Sequence, residues 1–341
     1  MYVYQIRYGE SVHMVKFFYK YTRLREDFFR DFMFRATQFK ALNDPFEGIF
    51  NENQFKDANN SLDAYYTKQG NTVNKLEDYE LDGIMGTLQM DFDDVGVLSF
   101  TEDYTNPLMW AHYAEQHQGI VLEFDSEKPL FQDSIKFFED RKSRFGKSYL
   151  GDIYEFPEKV MYRREMPSFD RIEQLQPSSD GEYHWIKFLY SLFFTKSNDW
   201  IYEKELRSIV QLRDADRIIC SKDDHLVDVL SKCPEIGTED LADGKIQITY
   251  PNEFEMHEEM GDESIKAEIY MHTSLYNSSN IYLFRINPEA ISGIYCGCKC
   301  DYEKIQVLVK SNKQLAHLEK SIYKMEVDSY QYQLNRKTLI L

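Results

Sequence analysis

The chain has 341 residues, which is enough for one large domain or two smaller ones that bury a hydrophobic core without disulfide bonds. Its 58 acidic residues outnumber its 40 basic residues and give a formal net charge of −18, which disfavours non-specific binding to nucleic acids and to anionic membrane surfaces. The sequence contains no run of about 18 consecutive apolar residues, so a transmembrane helix is not expected.

The elements of the first half are predicted from hydrophobic spacing and turn residues. In chain order they are a strand at 17–22 (FFYKYT), a short helix at 23–33, a loop at 39–48, a polar helical stretch at 53–92, a strand at 95–101 (VGVLSFT), a helix at 107–117 and a strand at 120–125. Asn106 is the expected N-cap of the 107–117 helix, and Pro107 suits its first turn.

The second half is predicted in the same way. It contains a strand at 158–163, an aromatic helix at 182–195, strands at 202–212, 280–286 and 293–299, an amphipathic helix capped by Asp301 and a final strand at 321–329. Helices and strands do not alternate regularly, which favours an α+β fold with a mixed, mainly antiparallel sheet and flanking helices. We expect residues 1–212 and 280–341 to form the core domain, with the acidic stretch 213–279 as an insertion or small subdomain.

The cysteines and the beginning of the sequence indicate in which cellular compartment the protein is expected. The beginning of the sequence lacks the basic-then-apolar order of a signal peptide, and the cysteine count of five is odd, so reduced thiols and a cytoplasmic location are expected. Cys296, Cys298 and Cys300 alternate with other residues, and this spacing suits a single tetrahedral zinc site poorly. No metal is therefore expected.

Three segments place polar groups on or beside a predicted strand. Glu203 and Glu205 lie two apart in the predicted 202–212 strand, so their carboxylates share one face and repel unless a cation or a hydroxylated ligand lies between them. One interpretation is a carboxylate that binds ribose hydroxyls and stabilises a developing positive charge. The alternative is an exposed edge strand on which these carboxylates pair with Lys204 and Arg207.

The other two segments also allow a functional and a structural interpretation. Ser99 and Thr101 share one strand face, where small hydroxyls leave room for a ligand, although Thr is common in strands. Trp110 and Tyr113 project together from the following helix, either into the core or along a cofactor. Lys20 interrupts an aromatic strand and extends to solvent or meets a phosphate.

The loop at 39–48 contains a compact set of polar residues. Asn43, Asp44 and Glu47 are typical of a turn that precedes a helix. Alternatively, the loop covers a cleft and contacts its ligand. Both interpretations remain open from the sequence.

The motifs FFYKYTRL, FKALNDPFE, VLSFTEDYTNPLMWAHYAEQHQGIVLEFD and W-x-YEKELR, in this order, resemble the bacterial domain-of-unknown-function family 2971. The resemblance covers most of residues 17–212, with a weaker similarity in INPEAISGIYCGCKCDYE. That family in turn resembles divergent ADP-ribosyltransferases, which have a His-Gly-Thr or His-Tyr-Thr on a first strand, a Ser-x-Ser/Thr on a second and a glutamate, often Glu-x-Glu, on a third. The matching triplets here begin at Lys20, Ser99 and Glu203, and Lys20 departs from the usual histidine.

The resemblance implies that NAD binds as a co-substrate in a cleft between the halves of the sheet. Tyr21 would hold the nicotinamide side and Ser99 would steady the wall of the cleft. Glu205 would bind the ribose hydroxyl and stabilise an oxocarbenium-like state, while Glu203 would activate the acceptor or water. The other residues expected to bind the cofactor are Lys20, Thr22 and Thr101 from the matching triplets, and Asn43, Trp110 and Tyr113 from the loop and helix described above.

The implied activity is ADP-ribosyl transfer or NAD hydrolysis in a bacterial toxin or a phage-defence effector, with a small-molecule nucleotide and a protein acceptor or neutralising partner. The alternative is a catalytically inactive ligand-binding or protein-interaction module on the same fold, which Lys20 in place of histidine favours. A nuclease-like effector is disfavoured by the charge of −18 and by the lack of a clustered carboxylate motif for a metal.

Overall fold

A computed structural model describes residues 6–7, 10–11, 15–47, 53, 57, 64, 67–68, 70, 78–131, 157–167, 191–251, 262–274 and 279–337. The α-helices with described bounds are α1 (Phe28–Asp31), α2 (Asp78–Asp93), α3 (Pro107–Tyr113), α4 (Asp224–Ser231), α5 (Asp262–Ser274) and α6 (Tyr302–Ser311). Among the described helices, none has the length and apolar character needed to cross a membrane.

The strands of the N-terminal half are β1 (Ile6–Arg7), β2 (Glu10–Ser11), β3 (Phe17–Thr22), β4 (Met33–Gln38), β5 (Val95–Thr101), β6 (Ile120–Asp125), β7 (Glu158–Lys159) and β8 (Met161–Arg163). Those that follow are β9 (Thr195–Ser197), β10 (Glu205–Gln211), β11 (Arg217–Ser221), β12 (Gly237–Asp240), β13 (Lys245–Thr249), β14 (Ile281–Arg285), β15 (Ile291–Cys296), β16 (Ile322–Val327) and β17 (Leu334–Lys337).

Most strands in the described part of the chain belong to one sheet of 13 strands. Its order is β12-β13-β11-β14-β4-β5-β3-β6-β15-β16-β17, and β10 pairs with both β5 and β7. The pairing of β15 with β16 is parallel and the other pairings recorded in this sheet are antiparallel. The prediction of an α+β fold with a mixed, mainly antiparallel sheet is therefore confirmed.

The acidic stretch 213–279 contributes strands to this same sheet. Its strand β11 pairs with β14, so β11, β12 and β13 continue the sheet beyond the core strands. Apolar residues of this stretch, such as Ile218 and Ile248, are fully buried in the cluster that contains Phe34 and Phe124. The interpretation of 213–279 as an insertion or small subdomain stays a prediction.

Alternation along β3 assigns its side chains to two different clusters. Phe18 contacts Phe100 and Phe124 on one face of the sheet. Tyr19 and Tyr21 lie on the other face, in a cluster with Trp110. Successive residues of a strand point to opposite faces, so Lys20 projects toward the same side as Phe18.

The strands β3 and β5 diverge from each other. Along β6 the strand β3 is paired over its full length, from Phe17 to Thr22. With β5 it shares a single pair, Tyr19 opposite Thr101. The same edge of β5 pairs with β4 only at Gly96 and Val97, so an opening lies beside the middle of β5.

Several predicted elements have different bounds in the structure. The helix predicted at 23–33 is reduced to α1, and residues 33–38 form β4, a strand that the sequence analysis did not predict. The helix at 107–117 ends at Tyr113, because Glu115, Gln116 and His117 adopt positive φ angles. The last strand, β17, was also not predicted.

The strand predicted at 202–212 begins only at Glu205. Residues Asn198–Glu203 form a 3-10 helix, and Lys204 has a φ of 44° that separates this helix from β10. The predicted strand at 293–299 ends at Cys296. Of the helix predicted at 182–195, residues 191–193 are helical and 182–190 lie outside the described residues.

Candidate functional site

A pocket of about 100 Å³ lies where β3 and β5 diverge. It is bounded by these two strands, by the start of β10, by α3 and by the loop that follows the 3-10 helix Phe39–Ala41. The lining residues are Tyr19, Lys20, Tyr21, Leu42, Asn43, Glu47, Ser99, Phe100, Thr101, Met109, Tyr113, Lys196, Glu203 and Glu205.

Of the residues expected to be catalytic or to bind the cofactor, all except Thr22 and Trp110 line this pocket. The Thr22 hydroxyl donates to the carbonyl of Arg23, outside the pocket. Trp110 lies behind Tyr21 in an edge-to-face contact with a centroid distance of 5.3 Å, and its indole N–H donates to the Tyr104 carbonyl at 2.8 Å. Neither Thr22 nor Trp110 lines the pocket, and their contact with a ligand stays a prediction.

Glu203 and Glu205 meet in the pocket for a different reason from the one predicted. They do not share a strand face, because Glu203 ends the 3-10 helix and Glu205 begins β10. The left-handed Lys204 between them turns the chain. The interpretation of an exposed edge strand is also wrong, since β10 lies between β5 and β7 and all seven of its residues are buried.

Lys196 of β9 lies at the centre of the charged network. Its ammonium nitrogen is 2.7 Å from Glu203 Oε2, 3.1 Å from Glu205 Oε2 and 3.3 Å from Glu47 Oε1. The same nitrogen lies 4.9 Å from the centroid of the Trp200 ring. Burial alone would lower the pKa of Lys196, but the three carboxylates outweigh burial and raise it, so the side chain stays cationic at neutral pH.

Arg207 is the second cation of the network, and its side chain is completely buried. Its Nε and Nη2 donate to the two oxygens of Glu205 at 2.9 and 3.0 Å, and Nη2 also donates to Glu47. The remaining Nη1 donates to the carbonyl of Phe193 at 2.8 Å. The guanidinium thus holds the carboxylates of two distant segments together.

The pKa values of the two carboxylates that share Arg207 shift in opposite directions. For Glu205, burial alone would raise the pKa, but Arg207, Lys196 and a hydrogen bond from Ser99 lower it to about 2. For Glu47, burial raises the pKa and the nearby cations offset this only in part. Glu205 is therefore ionised at neutral pH, and Glu47 is expected to protonate first as the pH falls.

Lys20 fills the opening beside β5. Its ammonium donates to the Ser99 carbonyl at 2.6 Å, at a position where β5 is paired with neither β3 nor β4. The nitrogen also lies 5.5 Å from the centroid of Phe100. Burial lowers the pKa of Lys20 to about 8, although Glu205 acts in the opposite direction. Lys20 and Tyr21 leave β3 on opposite faces, and both line the pocket because the strands separate here.

Hydrogen bonds from α3 and β5 fix the segment that contains Glu203. The Tyr113 hydroxyl donates to Glu203 Oε1, and Thr101 Oγ1 donates to the Glu203 carbonyl at 2.6 Å. Asn106 Oδ1 accepts from the Leu108 N–H, which confirms the predicted N-cap. The Asn106 amide also donates to the Tyr202 carbonyl at 2.8 Å and so ties α3 to the 3-10 helix.

The loop at 43–47 forms a turn beside the pocket, and its contact with a ligand stays a prediction. Asp44 is a turn residue, since its Oδ1 accepts the Phe46 N–H at 2.9 Å. Asn43 and Glu47, however, line the pocket. The turn therefore presents its two polar neighbours to the site.

Candidate metal ligands do not cluster in the described part of the chain. There, no group of three or more His, Cys, Asp or Glu residues is arranged to hold a metal ion. The three pocket carboxylates surround an ammonium group instead. Cys298 and Cys300 follow the end of β15, so the three alternating thiols do not lie along one strand.

Two central residues, Lys196 and Arg207, were missed as site residues. Arg207 lies two positions after Glu205 in β10, and this spacing was a usable signal for a shared face. Lys196 interrupts an aromatic stretch, FFTKS, much as Lys20 interrupts FFYKY. The pocket residues Tyr19, Leu42 and Met109 had no comparable signal.

Comparison with known families gives one match. Residues 109–208 match the family described as Protein of unknown function (DUF2971). The matched segment contains most of α3 together with Lys196, Glu203 and Glu205, whereas Lys20 and Ser99 lie outside it. The match supports the family resemblance found in the motifs. No curated protein and no solved structure matches the chain.

Proposed function

We propose that the pocket binds the nicotinamide-ribose end of NAD and that the chain catalyses ADP-ribosyl transfer or NAD hydrolysis on an ADP-ribosyltransferase-like core. The supporting observation is the convergence of Tyr21, Ser99 and Glu205 from three neighbouring strands, β3, β5 and β10, at the opening in the sheet. These are the strands and residues that the family resemblance assigns to NAD.

The dimensions and chemistry of the pocket suit one end of the dinucleotide. A cavity of about 100 Å³ is smaller than a typical small-molecule pocket of about 300–1,000 Å³, so we expect only the nicotinamide ribose to enter. Tyr21 and Tyr113 offer aromatic surface, while their hydroxyl groups donate to the Asp103 carbonyl and to Glu203. Glu205 offers an ionised carboxylate for ribose hydroxyls.

In this proposal, Glu205 stabilises positive charge that develops on the ribose. The bond between C1′ and the nicotinamide nitrogen breaks, and its electron pair leaves with nicotinamide. The acceptor or water then forms a bond to C1′, and Glu203 takes the proton that the nucleophile loses. A fixed negative charge in a buried pocket stabilises such a cationic state more strongly than the same charge would in water.

The test is Glu205→Gln, which keeps the size of the side chain and removes its charge. Nicotinamide release from NAD should fall about a hundredfold, corresponding to about 3 kcal/mol of transition-state stabilisation. The dissociation constant for NAD should change little if the charge acts mainly in the transition state. Glu102→Gln is the matched control, because Glu102 follows β5 and pairs with the exposed Lys159.

Thermal melting must accompany the assay, since Glu205 also binds Arg207. A folded Gln variant as active as the wild type would exclude Glu205 as the catalytic carboxylate. Because Lys196 and Arg207 already neutralise the carboxylates, the structure also favours a second candidate, an inactive ligand-binding module. In that case calorimetry would detect nucleotide binding, while no nicotinamide would be released with any acceptor.

A further inference from the structure

We propose that the three carboxylates around Lys196 form a subsite for a primary ammonium group, which Lys196 fills in the resting protein and which the amine of an acceptor molecule fills during the reaction. This inference rests on the proposed function in taking the entering amine as the ADP-ribose acceptor. The subsite itself is argued from the contacts of Lys196.

The first step concerns the hydrogen-bonding capacity of Glu205. A carboxylate has about four lone-pair sites. Arg207 uses two of them, Lys196 uses one, and the Ser99 hydroxyl also donates to this carboxylate. A ribose hydroxyl can therefore bind Glu205 only after one of these donors has left.

Lys196 is the donor that can leave at the lowest cost. Arg207 is fixed by two further partners, Glu47 and the Phe193 carbonyl, and its side chain has no exposed surface. The Lys196 ammonium contacts Glu205 at 3.1 Å, a longer distance than the 2.9 and 3.0 Å of the two Arg207 nitrogens, and its side chain retains 8% exposure. It also lines the pocket, so a ligand can reach it.

The second step concerns what must replace Lys196. Its departure leaves Glu47, Glu203 and Glu205 buried with Arg207 as the cation that contacts two of them. Buried carboxylates without a partner are costly, so the incoming ligand must bring a positive charge. The Lys196 ammonium donates to Glu203 and Glu205 at 2.7 and 3.1 Å and lies 3.3 Å from Glu47, so a single primary ammonium contacts all three carboxylates, and Trp200 adds a cation–π contact.

In this proposal an amine in this position acts as the nucleophile. The three carboxylates favour its ammonium form, so one proton passes to Glu203, the closest contact of the Lys196 nitrogen, only as the new bond to C1′ forms. Nicotinamide leaves with the electron pair of the broken bond, and the second N–H proton is released to solvent. The acceptor class is therefore a lysine side chain or a small polyamine.

The test is chemical complementation of Lys196→Ala with ethylammonium chloride. Ethylammonium should raise the melting temperature of this variant in a saturable manner, with no comparable effect of tetramethylammonium chloride at the same ionic strength, because that ion has no N–H donor. The wild type and Lys159→Ala should not respond, since Lys159 is an exposed lysine that pairs with Glu102. In Lys196→Ala/Glu203→Gln, the affinity for ethylammonium should fall about tenfold or more.

A Lys196→Ala variant that does not fold alone is tested by its refolding yield in ethylammonium against tetramethylammonium. If ethylammonium and tetramethylammonium had equal effects on Lys196→Ala and on Lys196→Ala/Glu203→Gln, the ammonium subsite would be overturned. A specific ethylammonium effect without nicotinamide release would retain the subsite and reject the transferase. Nicotinamide release together with no ethylammonium effect would retain the transferase and reject the subsite.

Discussion

Arg207→Met should be among the most destabilising substitutions in this chain. The change preserves an unbranched apolar stem and removes hydrogen bonds to Glu205, Glu47 and the Phe193 carbonyl. Two buried carboxylates then have Lys196 as their remaining cation in the network. Removing one partner of a buried ion pair costs about 3–5 kcal/mol, so we expect a loss of this size at pH 7 in urea unfolding.

Arg30→Met provides the matched control. Arg30 also pairs with a carboxylate, that of Asp27, but the two side chains are 76% and 73% exposed, so the loss of this pair should cost at most about 1 kcal/mol. The double variant Arg207→Met/Glu205→Gln should recover part of the lost stability, since it removes one of the buried carboxylate charges that Arg207 no longer pairs with. A cost below about 1 kcal/mol for Arg207→Met would show that the buried network does not support the fold.

The pH dependence of the unfolding free energy of wild type and Arg207→Met gives an independent check. The pKa of Glu205 is lowered to about 2, so its stabilising contribution is fully present above its unfolded pKa of about 4.5 and is lost as the pH falls toward 2. Without Arg207 this carboxyl should protonate at a higher pH. The stability difference between wild type and Arg207→Met should therefore narrow below pH 4.5, and a constant difference from pH 7 to pH 3 would contradict the argument.

Two further predictions concern groups beside the network. Lys20 has a pKa lowered by burial to about 8, so the unfolded chain binds more protons between pH 8 and about 10.5 and the wild type gains stability across this interval. Lys20→Met should lack that gain in unfolding titrations from pH 7.5 to 10, and an unchanged slope would refute the assignment. Asn106→Ala removes the N-cap of α3 and the bond to the Tyr202 carbonyl, so thermal or urea unfolding should show a loss of about 1–2 kcal/mol, whereas an effect within error would mean that neither bond contributes.

The boundaries that sequence spacing missed depend on left-handed residues that are not glycine. Phe32, with a φ of 54°, ends α1 and allows β4 to begin at Met33. In the sequence, Phe28, Phe29 and Phe32 follow helical spacing, which concealed this boundary. Lys204, with a φ of 44°, separates Glu203 from β10 in the same way. Neither residue type favours that conformation, so composition gave no signal.

The pocket residues could be singled out from the sequence where a short polar motif lies on a hydrophobic strand that is easily recognised. The segments with Ser99, Tyr21 and Glu205 are hydrophobic enough to be recognised, and they are neighbours in the sheet. The ion pairs between them were not predictable, because Glu47 and Arg207 are 160 positions apart and nothing in local spacing links them. Lys196 was missed for the same reason, since its partners Glu47, Glu203 and Glu205 come from two other segments.

The ion pairing of Glu205 with Arg207 has a consequence for comparing homologues. A glutamate at this position neutralises a guanidinium that has no access to water, so selection for folding alone would preserve it. A homologue without catalytic activity would be expected to keep both residues, because replacing either one leaves the other as a buried charge without its partner. Persistence of this glutamate across a lineage therefore does not by itself identify an active enzyme. Residues that face the pocket without such a partner would be better markers of retained activity.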